Sequence, residues 1–240
     1  MFKGKAPVFP FLFWSFSMLT INKEILSFYD IPALAERSVK TVLLIRHSYR
    51  ESLQNGSLDP GLTPEGWEYA KESGAFLKGL KDVCFGASMR ARTVQTIEAL
   101  IEGGSLEKCD IKIYPQISDT VLFEEEDGLG NCINNGTISR LLKDYFMTGK
   151  AENMIDLFVC HQRLLTFLTQ TEFEKKNVIL ASHDIVAATL LLPLKVYPFS
   201  TEDWCGNVQG AALSLDSNGI WTVAYLVPDK MNRKKQALFI

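Results

Sequence analysis

This chain of 240 residues has few histidines, no closely spaced cysteine pair and no excess of positive charge. Its five cysteines include no CxxC pair, which argues against a zinc site and a disulfide framework, so we expect reduced thiols, no metal and no cofactor. The formal net charge of −3 gives no general reason to expect nucleic acid or an anionic membrane as a partner. Because only three histidines occur, each one is a candidate for a specific role.

Residues 1–19 are the only stretch that suggests a targeting signal, because a basic start is followed by an apolar run. Pro7 and Pro10 interrupt this run, no small-residue cleavage site follows it, and it is too short to span a bilayer as a helix. One alternative is an exported or membrane-associated protein, and another is a true start at Met18 instead of Met1. We expect a cytoplasmic protein.

The rest of the chain reads as a single α/β unit. Residues 22–36 are typical of a short helix broken at residues 31–32, and the first core strand is predicted at residues 41–45. The main domain is therefore predicted to span residues 38–240, with residues 1–37 as an N-terminal extension. Because strands alternate with helices, we expect a three-layer α/β/α sandwich with a mostly parallel sheet.

Apolar periodicity and helix-start signals predict the other elements of this domain. The predicted strands cover residues 83–87, 111–114, 211–216 and 221–226, and the predicted helices begin at Pro64 and cover residues 93–101 and 154–168. His161 lies on the apolar face of the last helix, so we expect a buried structural histidine there.

The other two histidines each follow a short apolar run. One run leads into Arg46 and His47, and the second, at residues 178–182, leads into His183. In open α/β sheets, ligands bind beyond the carboxyl ends of the strands. His47 and His183 could therefore meet at one site although they are far apart in the sequence.

Five short motifs follow one another along the chain. They are Arg46-His47-Ser48, Leu62 to Gly66, Ser88 with Arg92 and Gln95-Thr96, Leu122-Phe123-Glu124 with Gly128, and Ser182-His183. In this order they resemble the histidine phosphatase superfamily, also called phosphoglycerate mutase-like, over about residues 41 to 226. The resemblance implies the phosphoglycerate mutase-like form of the α/β sandwich, with His47 as the nucleophile and His183 as a second catalytic group.

The residue types suit phosphoryl transfer, which needs an in-line nucleophile and donors to the equatorial oxygens. Neutral His47 could attack phosphorus and form a phosphohistidine. Arg46 and Arg92 could hold the phosphoryl oxygens with their planar guanidinium forks, and their charges favour neutral His47. His183 could donate to the oxygens as charge builds in the transition state.

Two carboxyl groups compete for the role of proton donor to the leaving group. Glu124 matches the branch of the family that includes the mutases, and the alternative for it is an exposed acid in a solvated loop. Asp184 resembles the donor of the acid phosphatase branch, and the alternative for it is an acid favoured by the dipole of a helix start. Glu124 is the better match to the family, and Asp184 is the alternative proton donor.

Three further residues, Arg90, Arg50 and Ser48, each have two alternative roles. The family spacing selects Arg92 as the phosphate ligand, so Arg90 is expected as a solvated charge or a contact at the rim. Arg50 resembles the second arginine of the acid phosphatase motif, and it is either a substrate ligand or an exposed loop charge. Ser48 replaces the usual glycine, and it could bind phosphate with its hydroxyl or adopt a strained backbone.

The leading hypothesis is a metal-independent phosphomonoesterase acting on a phosphorylated small molecule or a phosphoprotein. A phosphoglycerate mutase or bisphosphatase is the second, and a weakly active module that binds a phospho-ligand is the third. Residues 119–150 are expected to form a lid, in which Phe123, Leu129 and Ile133 contact the substrate or pack within the lid.

Overall fold

The computed structural model describes residues 19–52, 59–125, 128–134, 136–197, 199–200 and 203–230. The possible targeting segment, apart from residue 19, and the alternative start at Met18 lie outside the described residues. No helix in the described ranges is long and apolar enough to cross a membrane.

One sheet of seven strands, in the order β1-β7-β6-β2-β5-β3-β4, organises the described chain. Its strands are β1 Leu19–Ser27, β2 Lys40–Arg46, β3 Val83–Ala87, β4 Ile111–Ile113, β5 Asn177–Ser182, β6 Gly210–Leu215 and β7 Trp221–Val227. Strand β6 is antiparallel to β2 and β7, and the remaining neighbours are parallel. The predicted mostly parallel sheet and its terminal hairpin are therefore confirmed.

Helices cover both faces of this sheet. They are α1 Ile31–Arg37, α2 Pro64–Ala75, α3 Ala91–Gly104, α4 Gly128–Asn134, α5 Ile138–Thr148, α6 Leu157–Gln170 and α7 Asp184–Leu191. In β2, Val42 and Leu44 join a core with α6 and α7, whereas Leu43 and Ile45 join a core with α1, α2 and α3. Because successive strand residues face opposite sides, this alternation produces the predicted three layers.

The N-terminal segment departs from the prediction. Residues 19–27 form strand β1 instead of the start of a helix, and helical structure begins only at Phe28. β1 pairs in parallel with β7, with Ile21 opposite Val223 and Leu26 opposite Leu226. The described part of the predicted extension thus belongs to the same sheet as the rest of the chain, because pairing with a distant strand outweighs local helical signals.

The segment after His47 is held against the start of α2. Thr63 caps this helix by accepting a hydrogen bond from the Gly66 amide at 2.9 Å, as the Thr-Pro-Glu pattern predicts. A side chain at Gly66 would collide with the carbonyl oxygen of Tyr49. The glycine of this motif therefore allows the helix to approach the backbone just beyond the first histidine.

Residues 119–150 contribute a short 3-10 helix, Asp119–Leu122, and the helices α4 and α5. Phe123 and Leu129 are buried in the core with α6 and α7, and Ile133 packs against that core. Of the two alternatives, substrate contact or packing within the protein, packing therefore accounts for these three apolar residues.

Candidate active site

The carboxyl ends of three adjacent strands bring the two histidines together. β2 and β5 are parallel and end in register, and His47 donates its amide hydrogen to the Ser182 carbonyl at 2.9 Å. β3 lies on the other side of β5, and the Ser88 amide donates to the Ala181 carbonyl at 3.1 Å. The imidazole rings of His47 and His183 lie edge to face with centroids 5.5 Å apart. The predicted meeting of the two strand ends is thus present.

The position of the ring proton of His47 follows from one contact. Its Nδ1 lies 2.7 Å from the carbonyl oxygen of Ser48, and a carbonyl can only accept, so Nδ1 carries the proton. Burial, followed by the charges of Arg92 and His183, holds the pKa of His47 well below its ordinary value of 6.5. His47 is therefore neutral near pH 7, with the lone pair on Nε2, which makes no hydrogen bond within the described residues.

The second histidine is held through both ring nitrogens. His183 Nε2 lies 2.9 Å from the Ser88 hydroxyl, which lies 3.1 Å from the Thr93 hydroxyl, and Nδ1 lies 3.3 Å from Arg92 Nη2. Because a guanidinium only donates, the last contact is a hydrogen bond when the proton of His183 is on Nε2. Burial, followed by Arg92 and three further arginines, holds the pKa of His183 well below 6.5.

Arg46, the last residue of β2, is buried beside the two rings. Its Nη1 donates to the Cys205 carbonyl at 2.8 Å, and its Nη2 lies 3.5 Å from Oδ2 of Asp184. The other oxygen of Asp184 accepts the Ile185 amide at 3.0 Å at the first turn of α7. Arg46 is therefore held between the loop that precedes β6 and the first residue of α7.

Arg92, in the first turn of α3, meets a carboxylate that sequence reasoning missed. Its Nη2 donates to Asp119 Oδ2 at 3.0 Å, and His183 Nδ1 lies 3.9 Å from the same oxygen. Asp119 is 5% exposed, and burial lowers the pKa of Arg92 to about 10 although the Asp119 charge opposes this. The sequence did contain one signal for Asp119, because this residue comes shortly after β4, and the carboxyl end of β4 adjoins that of β3.

Of the two expectations for Arg90, a solvated charge or a contact at the rim, the structure disagrees with the first. Its side chain is 16% exposed, and its Nε donates to both oxygens of Asp119 at 3.1 and 3.3 Å. One buried carboxylate therefore binds both Arg90 and Arg92. The spacing argument separated these arginines because residues two apart face different sides of a helix, but Arg90 precedes α3 and has extended backbone.

Arg50 lies near the same charges and is partly buried. Its Nη1 donates to the Glu51 carbonyl at 2.9 Å. Burial lowers its pKa, followed by repulsion from Arg46, while Asp184 and Asp119 act in the opposite direction. Of the two alternatives for Arg50, the structure thus favours a place at the site over an exposed loop charge.

Ser48 occupies the glycine position without backbone strain. It is fully buried, and it is not among the residues with positive φ. Its amide donates to the Thr96 hydroxyl at 3.0 Å, whereas its own hydroxyl has no hydrogen-bond partner within the described residues. The hydroxyl is thus the feature that serine adds to this site.

The two candidate proton donors lie in different settings. Asp184 touches Arg46 directly, and both of its oxygens are engaged. Glu124 is exposed, its amide donates to the Asn153 carbonyl at 3.1 Å, and its side chain has no ion pair within the described ranges. The structure places Asp184 in the cluster and leaves the Glu124 carboxyl group uncommitted.

His161 lies outside the cluster, as predicted. It is 1% exposed on α6, and its Nδ1 lies 3.1 Å from the Thr189 carbonyl oxygen. In the part of the chain that the structure describes, no group of three or more His, Cys, Asp or Glu side chains could hold a metal ion.

Comparisons with known proteins agree with this fold. Residues 42–119 match the model of the histidine phosphatase superfamily (branch 1), a segment that contains His47, Arg92 and Asp119. The chain is 29% identical over 162 residues to human 6-phosphofructo-2-kinase/fructose-2,6-bisphosphatase 4, covering 63% of this chain and 32% of that protein. A protein of the same name from Macaca fascicularis matches equally, so the chain spans about a third of the length of these curated relatives.

Two solved structures share the fold. A phosphoglycerate mutase from Bacillus anthracis has a TM-score of 0.54 at 18% identity, covering 81% of this chain and 95% of its own. A mycobacterial glucosyl-3-phosphoglycerate phosphatase has a TM-score of 0.53 at 19% identity, covering 78% of this chain and 98% of its own. The chain therefore shares the phosphoglycerate mutase-like fold, and its residues 42–119 are similar to the histidine phosphatase superfamily.

Proposed function

We propose that this protein is a metal-independent phosphomonoesterase that works through a phosphohistidine at Nε2 of His47. The observation that carries the proposal is the 2.7 Å contact between His47 Nδ1 and the Ser48 carbonyl oxygen, from which the ring proton is assigned to Nδ1. The lone pair of Nε2 is then available to attack phosphorus. Arg46, Arg92 and His183 lie next to it and can donate hydrogen bonds to the phosphoryl oxygens.

In the first step, Nε2 of His47 attacks phosphorus as the bond from phosphorus to the leaving oxygen breaks. Arg46 and Arg92 hold the equatorial oxygens, and the leaving oxygen takes a proton from a carboxyl group. In the second step, a water attacks the phosphohistidine and gives its proton to the same carboxylate. The nitrogen–phosphorus bond breaks, and inorganic phosphate leaves.

We assign the carboxyl group to Glu124. Asp184 has one oxygen 3.5 Å from Arg46 and the other on the Ile185 amide, so it is better placed to orient Arg46. Glu124 has no such commitment within the described residues and lies on the segment that follows Asp119, which contacts Arg92.

His183 donates to the phosphoryl group from Nδ1 in this mechanism. That requires its proton to move from Nε2, and the Ser88 hydroxyl at 2.9 Å allows it, because a hydroxyl can donate to Nε2 as well as accept from it. Bound phosphate would replace Nδ1 as a partner of Arg92.

The test is hydrolysis of 4-nitrophenyl phosphate in the presence of EDTA. The wild-type protein is expected to release phosphate and to give a phosphoenzyme that is stable to alkali and labile to acid, as a phosphohistidine is. His47→Gln should lose both. His161→Gln is the matched control, because it alters a buried histidine outside the site.

Other outcomes identify the other functions. Transfer of the phosphoryl group to a second hydroxyl of a glycerate substrate, faster than to water, would indicate a mutase. Phosphate binding by calorimetry without turnover would indicate a binding module. Activity that persists in folded His47→Gln would overturn the proposal.

A further inference from the structure

Arg90 is held at the site in a way that leaves part of its guanidinium group unused. Only Nε contacts Asp119, at 3.1 and 3.3 Å from the two carboxylate oxygens. Neither terminal nitrogen makes a hydrogen bond within the described residues, and neither is among the buried polar atoms without a partner. These two nitrogens are therefore accessible to a ligand although the side chain is only 16% exposed.

Asp119 also fixes where Arg90 lies relative to the phosphoryl pocket. One of its oxygens accepts from Arg92 Nη2 at 3.0 Å, so both guanidinium groups contact one carboxylate. Asp119 is itself oriented by the Ser118 hydroxyl at 3.2 Å. A second carboxylate, Asp59, lies 3.9 Å from Arg92 Nη1 and also accepts a hydrogen bond from the Ala91 amide at 2.8 Å. Arg90 is thus a rigidly placed cation next to the phosphate ligand Arg92.

We propose that Arg90 forms a subsite for a second anionic group, a phosphate or a carboxylate, on the phosphomonoester that the enzyme hydrolyses. The inference rests on the proposed function and names the substrate class of that same site. The two terminal nitrogens of a guanidinium match the two oxygens of such a group, and Asp119 holds them in place before binding.

The shared carboxylate limits the distance between the two anionic groups. Because Arg90 and Arg92 contact the same Asp119, groups bound to them lie within a few bonds of each other. The substrate class is therefore a short-chain bisphosphate or phosphocarboxylate, in preference to an uncharged phosphomonoester.

The test compares substrates that differ only in the second group. 1,3-Propanediol bisphosphate and 3-(phosphonooxy)propanoate carry a second phosphate and a carboxylate, and 3-hydroxypropyl phosphate carries neither. Wild-type kcat/KM is expected to be about tenfold or more higher for at least one of the two anionic substrates, and the better one identifies the group. Arg90→Gln should remove this preference, so it should lower kcat/KM for the preferred anionic substrate about tenfold more than for 3-hydroxypropyl phosphate.

Two variants separate binding from a structural role. Arg90→Lys keeps the charge but loses the fork, so it should retain part of the preference. Arg163→Gln, on the exposed side of α6, is the matched control and should keep all of it. An equal loss on all three substrates in Arg90→Gln would assign Arg90 a structural role only, and equal wild-type kcat/KM values would also overturn the proposal.

A failure of the proposed function would give a different result from a failure of the Arg90 subsite. If wild-type protein hydrolyses none of the three compounds, calorimetric binding of the same compounds to wild type and Arg90→Gln decides the subsite. Tighter binding of an anionic compound that Arg90→Gln abolishes would support the subsite, and equal affinities would contradict it.

Discussion

The Nδ1 atom of His47 donates its proton to the carbonyl oxygen of Ser48, its own neighbour in the chain, at 2.7 Å. The nucleophile is therefore oriented by backbone, and the side chain of Ser48 is not needed for this contact. The Ser48 amide is engaged as well, because it donates to the Thr96 hydroxyl at 3.0 Å. Replacing the usual glycine with serine leaves both backbone contacts in place.

Ser48→Ala tests the added hydroxyl. It is buried and has no partner within the described part of the chain, so its removal should not lower the stability of the free protein. If it donates to bound phosphoryl oxygen, kcat/KM for 4-nitrophenyl phosphate should fall about tenfold. Thermal unfolding and steady-state kinetics measure the two effects. An unchanged kcat/KM would remove Ser48 from the phosphate ligands.

Ser88→Ala should reduce kcat by about tenfold to a hundredfold, because His183 loses the hydroxyl that can both accept from and donate to Nε2. Ser88→Thr, which keeps a hydroxyl, should restore part of the activity. A structural role alone would lower stability without moving the pH profile, so kcat is measured against pH alongside urea unfolding. An unchanged profile in folded Ser88→Ala would contradict the assignment.

Glu124→Gln and Asp184→Asn should differ in their dependence on the leaving group. Glu124→Gln is expected to lower kcat about a hundredfold for an alkyl phosphate and much less for 4-nitrophenyl phosphate, whose leaving oxygen needs little protonation. Asp184→Asn loses a charge partner of Arg46 and should affect both substrates equally. The reverse pattern would identify Asp184 as the proton donor.

The unfolding free energy should fall as the pH drops below 6.5. All three histidines have pKa values lowered mainly by burial, so the unfolded chain binds protons near pH 6.5 that the folded chain binds only at lower pH. The slope should approach about 4 kcal/mol per pH unit when three protons differ between the states. Urea unfolding at pH 7.5, 6.5 and 5.5 measures it, and His161→Gln should reduce the slope by about a third.

A slope that is the same in His161→Gln and the wild type between pH 5.5 and 6.5 would contradict this account. Carboxyl groups with a lowered pKa, such as those of Asp30 and Asp216, affect stability at a lower pH than the histidines do. The histidine contribution can therefore be measured separately.

Local sequence signals predicted the elements that carry the catalytic candidates. Apolar runs rich in β-branched residues indicated β2 and β5, and a capping threonine followed by proline indicated α2. Because His47 and His183 each directly follow one of these two strands, they were expected at the same edge of the sheet. These predictions succeeded because strand burial and helix capping depend on neighbouring residues.

Tertiary structure decided what depends on distant partners. β1 is a strand because β7 lies beside it, and the partly buried Arg90 contacts Asp119 because the ends of β3 and β4 adjoin. The sequence by itself determined the order of the motifs and the chemistry of their side chains. Only the folded chain decided which carboxylate meets which arginine and which histidine nitrogen holds the proton, because those depend on contacts of a few ångströms between segments far apart in sequence.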